Sequence, residues 1–99
     1  MVKRYKNKMT FDWSERVFKV IDTNNKERFF YLSVIPNLED KQVRYFYEVH
    51  ELLKAKHELK LILTLVYESR IYSDEYVFEL ILQESGIDYK NIEEVNNEL

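Results

Sequence analysis

Cysteine is absent from this 99-residue chain, and glycine and proline occur once each. Without cysteine there is no disulfide framework and no thiolate metal site, so packing alone must hold the fold. A single glycine excludes the glycine-rich loops that cradle phosphates, which need several. None of Ser14, Ser33, Ser69, Ser73 and Ser85 sits in the G-x-S-x-G turn of a serine nucleophile. Long apolar runs are missing too. The longest, LILTLV at 61–66, is far short of the roughly 20 residues that cross a bilayer. MVKRYKNKM at the N-terminus is followed by TFDWSERVF, not by the apolar stretch of about 7 to 15 residues that a signal peptide needs. These absences lead to the expectation of a cytoplasmic protein with no membrane span, no metal and no cofactor.

What is present suits a folded core. Hydrophobic residues make up 45% of the chain, including eight Tyr, six Phe and one Trp, and aromatics bury large areas per side chain. The length fits one domain spanning 1–99. Lys outnumbers Arg two to one, with frequent Asn, Ile, Tyr and Glu, as in proteins of AT-rich genomes and the mobile elements they carry. The net charge of −3 hides a polarity along the chain: residues 1–10 hold four bases and no acid, residues 11–70 balance, and residues 71–99 hold eight acids against Lys90 alone. A basic flexible arm is expected over 1–8 and an acidic terminal helix over 88–99.

Alternation at Met9, Phe11 and Trp13, then Val17, Phe18, Val20 and Ile21, predicts a strand with a bulge near Ser14 to Arg16. DTNNKE follows as a turn, and RFFYLSVI at 28–35 as a second strand, giving a β-hairpin over about 10–35. Pro36 is expected to end that strand. Asn37 with Glu39 and Asp40 reads as a helix start, and a helix over about 38–57 separates Phe46, Val49 and Leu53 from Arg44, Glu48, Glu51, Ala55 and Glu58. Residues 59–67 alternate strictly and are taken as a third strand, although a continued helix fits the same letters. Ser73 then caps a helix with Asp74 and Glu75 in its first turn and Gly86 as its left-handed stop. The expected fold is α+β in the order ββαβαα, with the sheet packed on one helical layer. The alternative is an N-terminal hairpin with a mostly helical remainder.

HELLKAKHE at 50–58 draws the eye as a metal motif, yet His50 and His57 are seven residues apart. On a helix that separates them by roughly 10 Å, too far for one zinc ion. Paired acids such as Glu39 with Asp40, or Glu93 with Glu94, are explained by capping and solvation, so no catalytic residue is assigned. Two binding surfaces remain. Asp74, Glu75, Glu79, Glu84, Asp88, Glu93 and Glu94 could present negative charge to a basic groove on another protein. Alternatively Lys3, Arg4, Lys6, Lys8 and Arg28 could hold phosphates while Phe29 and Tyr31 stack on bases, an alternative that the acidic pI of about 5.4 disfavours. Tyr76, Val77, Phe78, Leu80, Ile81 and Leu82 surround most of the 74–85 helix, which suggests a homodimer through it. The chain is thus expected to be a non-enzymatic regulatory protein that binds another protein, with small nucleic-acid binding as the second reading.

Overall fold

Register, more than propensity, organises this chain. A computed structural model describes residues 3–6 and 12–95, which form six strands and one α-helix. The strands are β1 (Lys3–Lys6), β2 (Asp12–Asp22), β3 (Glu27–Glu39), β4 (Gln42–Leu53), β5 (Glu58–Tyr67) and β6 (Tyr89–Val95). Between β5 and β6 runs the helix α1 (Asp74–Glu84). All pairings are antiparallel, in the order β1-β2-β3-β4-β5, and β6 joins the same edge of β2 beyond β1. Among the described residues no helix is long and apolar enough to cross a membrane.

The hairpin expected near 10–35 forms as β2 and β3, with Ser14 to Ile21 opposite Val34 to Glu27 in unbroken register. No bulge occurs near Ser14 to Arg16. Phe18 and Val20 face the helix and Val17 faces the other way, and all three are buried, so the doubled apolar pattern needs no extra residue. The Asp22 carboxylate accepts from the backbone N–H groups of Asn24 and Lys26 at 2.9 and 3.0 Å. These bonds, the one from Lys26 first, lower its pKa. Asn25 takes the left-handed conformation at φ 62°, as asparagine in turns readily does.

The helix expected over 38–57 is absent, as is the order ββαβαα. Pro36 does not end β3. It stands opposite Tyr45, past the last described β2 pair at Ser14 and Val34, where no ladder bond to β2 is described for its missing N–H to interrupt. Asp40 and Lys41 make a two-residue turn with φ of 51° and 65°, the doubly left-handed geometry of a type I′ hairpin. The acids that resembled a helix start therefore lie at a hairpin tip. Along β4, Tyr45, Tyr47 and Val49 face the helix while Arg44, Phe46 and Glu48 face away, so the aromatic and β-branched content decides for strand.

β5 forms where strict alternation placed it. A turn of 3-10 helix at Lys54–Lys56 and the left-handed His57, φ 52°, join it to β4. The capping signals of α1 also hold. Ser73 Oγ accepts from Tyr76 N–H at 3.1 Å. At the other end Gly86, φ 71°, donates to Gln83 O and Ile87 donates to Leu82 O, the paired bonds of a Schellman stop. Among the described residues no terminal helix follows. Tyr89–Val95 becomes β6, with Val20 opposite Ile92 and Val17 opposite Val95. The chain ends beyond 95 lie outside the described residues.

The core lies between α1 and one sheet face. Phe78 stacks on Phe18 at 4.4 Å between ring centroids and meets Phe30 edge-on at 5.9 Å. Val77, Ile81 and Leu82 are buried beside it against Leu32, Val34, Tyr47 and Val49. Burying one such aromatic contributes about 2 to 3 kcal/mol. A lysine in the left-handed region is strained in a way glycine is not. Lys41→Gly is therefore expected to stabilise the protein by about 0.5 to 1 kcal/mol, read as a higher urea midpoint with an unchanged slope.

Candidate interaction surface

A single helix covers only one side of a sheet. The rows of the other face follow from the register. Lys19, Phe29, Leu52 and Leu59 run across it; beside them lie Val17, Tyr31, His50 and Leu61. Next come Glu15, Ser33, Glu48 and Thr64, and then Ile35, Phe46 and Val66. No other described element packs on this face. Val17 and Ser33 are buried by their neighbours alone, Phe29, Tyr31, Ile35, Phe46 and Leu52 are half-buried, and Leu59, Leu61 and Val66 are about half exposed. Three aromatic rings thus lie on an open platform of stiff strands, a composition typical of anchors for a partner.

The charge on this face is mixed. Lys19 Nζ lies 2.7 Å from Glu93 and 4.0 Å from Glu27, and Glu93 raises its pKa. Ser33 Oγ donates to Glu15 at 3.4 Å, Lys54 Nζ sits 4.0 Å above the Phe29 ring, and Glu48 lies opposite Ser33. Among the described residues this face carries no excess of positive charge with which to hold phosphates.

The other residues singled out by sequence are distributed as follows. Phe29 and Tyr31 lie on the open face, as a stacking platform requires. Arg28 points to the opposite face, where Nε and Nη2 each donate to Glu51 at 2.8 Å and Asp22 lies 4.0 Å away. Lys3, Arg4 and Lys6 belong to β1, paired with β2 between Asp12 and Glu15, and Lys8 lies outside the described residues. His50 is on β4 and His57 in the following turn; among the described residues no three His, Asp or Glu side chains gather to hold a metal.

The acidic set is largely engaged within the chain, through a residue the sequence did not single out. Arg16, on β2, donates from Nε and Nη2 to Glu94 at 2.8 and 2.7 Å and from Nη1 to Glu75 at 2.9 Å. Asp74 is 3.5 Å away and also accepts from Arg70 at 2.6 Å. One guanidinium therefore ties β2 to β6 and to the start of α1, and lies over the Phe18 ring at 5.3 Å. Glu79 accepts from the Tyr89 hydroxyl at 2.8 Å, and burial and this carboxylate raise the Tyr89 pKa. Glu84 and Asp88 are exposed, with no ion pair among the described residues. Arg16 carries no local sequence signal, because its partner Glu94 lies 78 residues away on β6.

A cleft of about 340 Å³ lies between α1 and β6, lined by Phe18, Phe78, Tyr89 and Ile92 with Glu75, Glu79 and Glu94. Glu75 and Glu94 are its natural acid–base candidates, but their bonds to Arg16 hold both pKa values below the usual 4.5. Such carboxylates are poor proton donors near neutral pH. A hollow of about 650 Å³ lies between the 22–28 turn and residues 51–56.

The dimer expected through the helix loses its premise. Val77, Phe78, Ile81 and Leu82 are buried within the chain, Leu80 is half-buried, and Tyr76 alone of the six is exposed, at 51%. Comparison with family models, with curated proteins and with solved structures finds no match for this chain.

Because Arg16 depresses Glu75 and Glu94, these two stabilise the fold fully above their ordinary 4.5 and lose that contribution as pH falls through the lowered values. Arg16→Met should cost about 1 to 2 kcal/mol at neutral pH, a modest figure because both carboxylates are partly solvated. The variant should also lose less stability than the native protein between about pH 5 and pH 2, as measured by denaturant unfolding across that range.

Proposed function

We propose that this is a non-enzymatic accessory or regulatory protein that works by binding another protein through the open face of its sheet. The observation that carries the reading is the apolar, aromatic platform of Phe29, Tyr31 and Phe46, left uncovered by the single helix and lacking a positive excess. Apolar rings on rigid strands lose little conformational entropy on docking, which favours anchors of this kind. Ion pairing of Asp74, Glu75, Glu93 and Glu94 within the chain leaves Glu84 and Asp88 as the acids best able to orient a basic partner.

Nucleic-acid binding is the second reading, favoured by Phe29 and Tyr31 standing together on the open face. It is weakened by the loss of Arg28 to Glu51 and by the acids Glu15 and Glu48 within the platform.

The test is capture by tagged protein from lysate of the native cell, with and without nuclease, comparing the native chain with a Tyr31→Ala, Phe46→Ala variant. Retention of one stoichiometric protein after nuclease, with affinity reduced on the order of 30-fold in the variant, is the expected result. Circular dichroism should match that of the native chain. Material that vanishes with nuclease makes the second reading correct. A partner retained equally by the variant places its contact elsewhere.

A further inference from the structure

In a chain of net charge −3, the hollow between the 22–28 turn and residues 51–56 is lined by more bases than acids. Lys26, Arg28, Lys54 and Lys56 stand against Asp22, Glu27 and Glu51, and the two signs lie at different depths. The side chains of Asp22 and Glu51 are only 10% and 12% exposed. Asp22 accepts from the backbone N–H groups of Asn24 and Lys26, and Glu51 holds Arg28 at two points. Glu27 lies 4.0 Å from Lys19. The three lysines are exposed, and among the described residues none of them is in an ion pair. The potential that reaches solvent here is therefore set by the lysines, above acids that are already held.

We propose that this hollow docks an acidic segment of a partner protein, with carboxylates on the lysines and an apolar side chain between them. The lysines form two banks, Lys26 in the β2–β3 turn and Lys54 with Lys56 in the 3-10 turn. Between the banks the lining is apolar: Phe29, Leu52 and Leu53 are half-buried and Ala55 is exposed. The volume of about 650 Å³ lies within the range of about 300 to 1,000 Å³ that ligand pockets occupy. Charge complementarity calls for an anion, and the apolar lining decides which kind. A nucleic-acid backbone has nothing to bury against Leu52 and Leu53, whereas a peptide can set an apolar side chain between two carboxylates. Nor is the near face of the Phe29 ring open to a base, because Lys54 Nζ sits 4.0 Å above it. Lysine is a compact charge on a flexible stem and imposes no two-point geometry on its partner, so the apolar side chain supplies the register. The charged rim belongs to two turns outside the open sheet face, and the inference does not rest on that face binding a partner.

The test is fluorescence anisotropy with a fluorescein-labelled peptide of Glu-Glu-Leu repeats, a Gln-Gln-Leu peptide of the same length, and a labelled single-stranded oligothymidylate. The native chain should bind the acidic peptide with a dissociation constant on the order of 10 to 100 µM at about 50 mM salt, and markedly more weakly at about 300 mM. A Lys26→Ala, Lys56→Ala variant, which takes one charge from each bank, should bind on the order of fivefold more weakly. A Lys41→Ala, Arg44→Ala variant, which makes the same change in net charge at the β3–β4 hairpin, should bind as the native chain does. So should the Tyr31→Ala, Phe46→Ala variant of the open face, which keeps this inference separate from the platform. Circular dichroism confirms that each variant is folded, and the salt series on the native chain reports the charge dependence without any substitution. No binding of the acidic peptide at low salt overturns the proposal. So does equal binding of the Gln-Gln-Leu peptide, or equal weakening in the two charge variants, or tighter binding of the oligothymidylate, which would make the hollow a nucleic-acid site.

Discussion

The contact on which the rest depends is the stack of Phe78 on Phe18, closed on its other side by the edge of Phe30. It brings a helix of eleven residues onto a sheet five strands across, about twice as wide as one helix can cover. All four buried residues of α1 share the face that Phe78 presents to β2, β3 and β4. A helix is about 10 to 12 Å across and strands are spaced at about 4.8 Å, so one helix spans two or three strands. Everything left over must be solvated, paired at an edge or covered by something else. The opposite face and the outer strand β5 are what is left over, and both are apolar enough to make water a poor neighbour.

Electrostatics in this chain cannot be read from its linear order. The acidic stretch after residue 71 suggested a surface waiting for a basic partner. Folding instead returns β6 and the start of α1 to the bases of β2. Arg16 takes Glu94 and Glu75, and Lys19 takes Glu93. Arg28 similarly turns toward Glu51 on β4 rather than toward the aromatic platform beside it in sequence. The planar fork of arginine suits such two-point bonds to carboxylates. These pairs close the sheet at the β2 edge, where β1 and β6 share one strand end to end.

The parts that were legible are those whose signals are local. The β2–β3 turn rests on Asp22 and Asn25, within a few residues of each other. Ser73 and Gly86 bound α1 by capping, and β5 alternates without interruption. The two strands that were misread each carry a local signal for helix. Asn37, Glu39 and Asp40 mimic a helix start, and Asp88 with Tyr89, Ile92 and Val95 mimics a capped helical stripe of period three. In β6 that spacing puts Ile92 and Val95 on opposite faces, each matched to a valine of β2. The reading of 38–57 as helix also hid Phe46, Glu48 and His50 from any account of the open face.

The sequence by itself determined the caps of α1, the β2–β3 turn, the absence of disulfide and phosphate-loop chemistry, and the identity of the apolar residues, because these depend on groups a few bonds apart. Only the tertiary structure decided that residues 42–53 and 89–95 are strands, since an amphipathic segment takes the geometry that completes its neighbours' hydrogen bonds. Tertiary structure likewise decided which acids are partnered and which apolar face stays open. Those outcomes follow from pairing between residues as far apart as Arg16 and Glu94, and no window of sequence contains both.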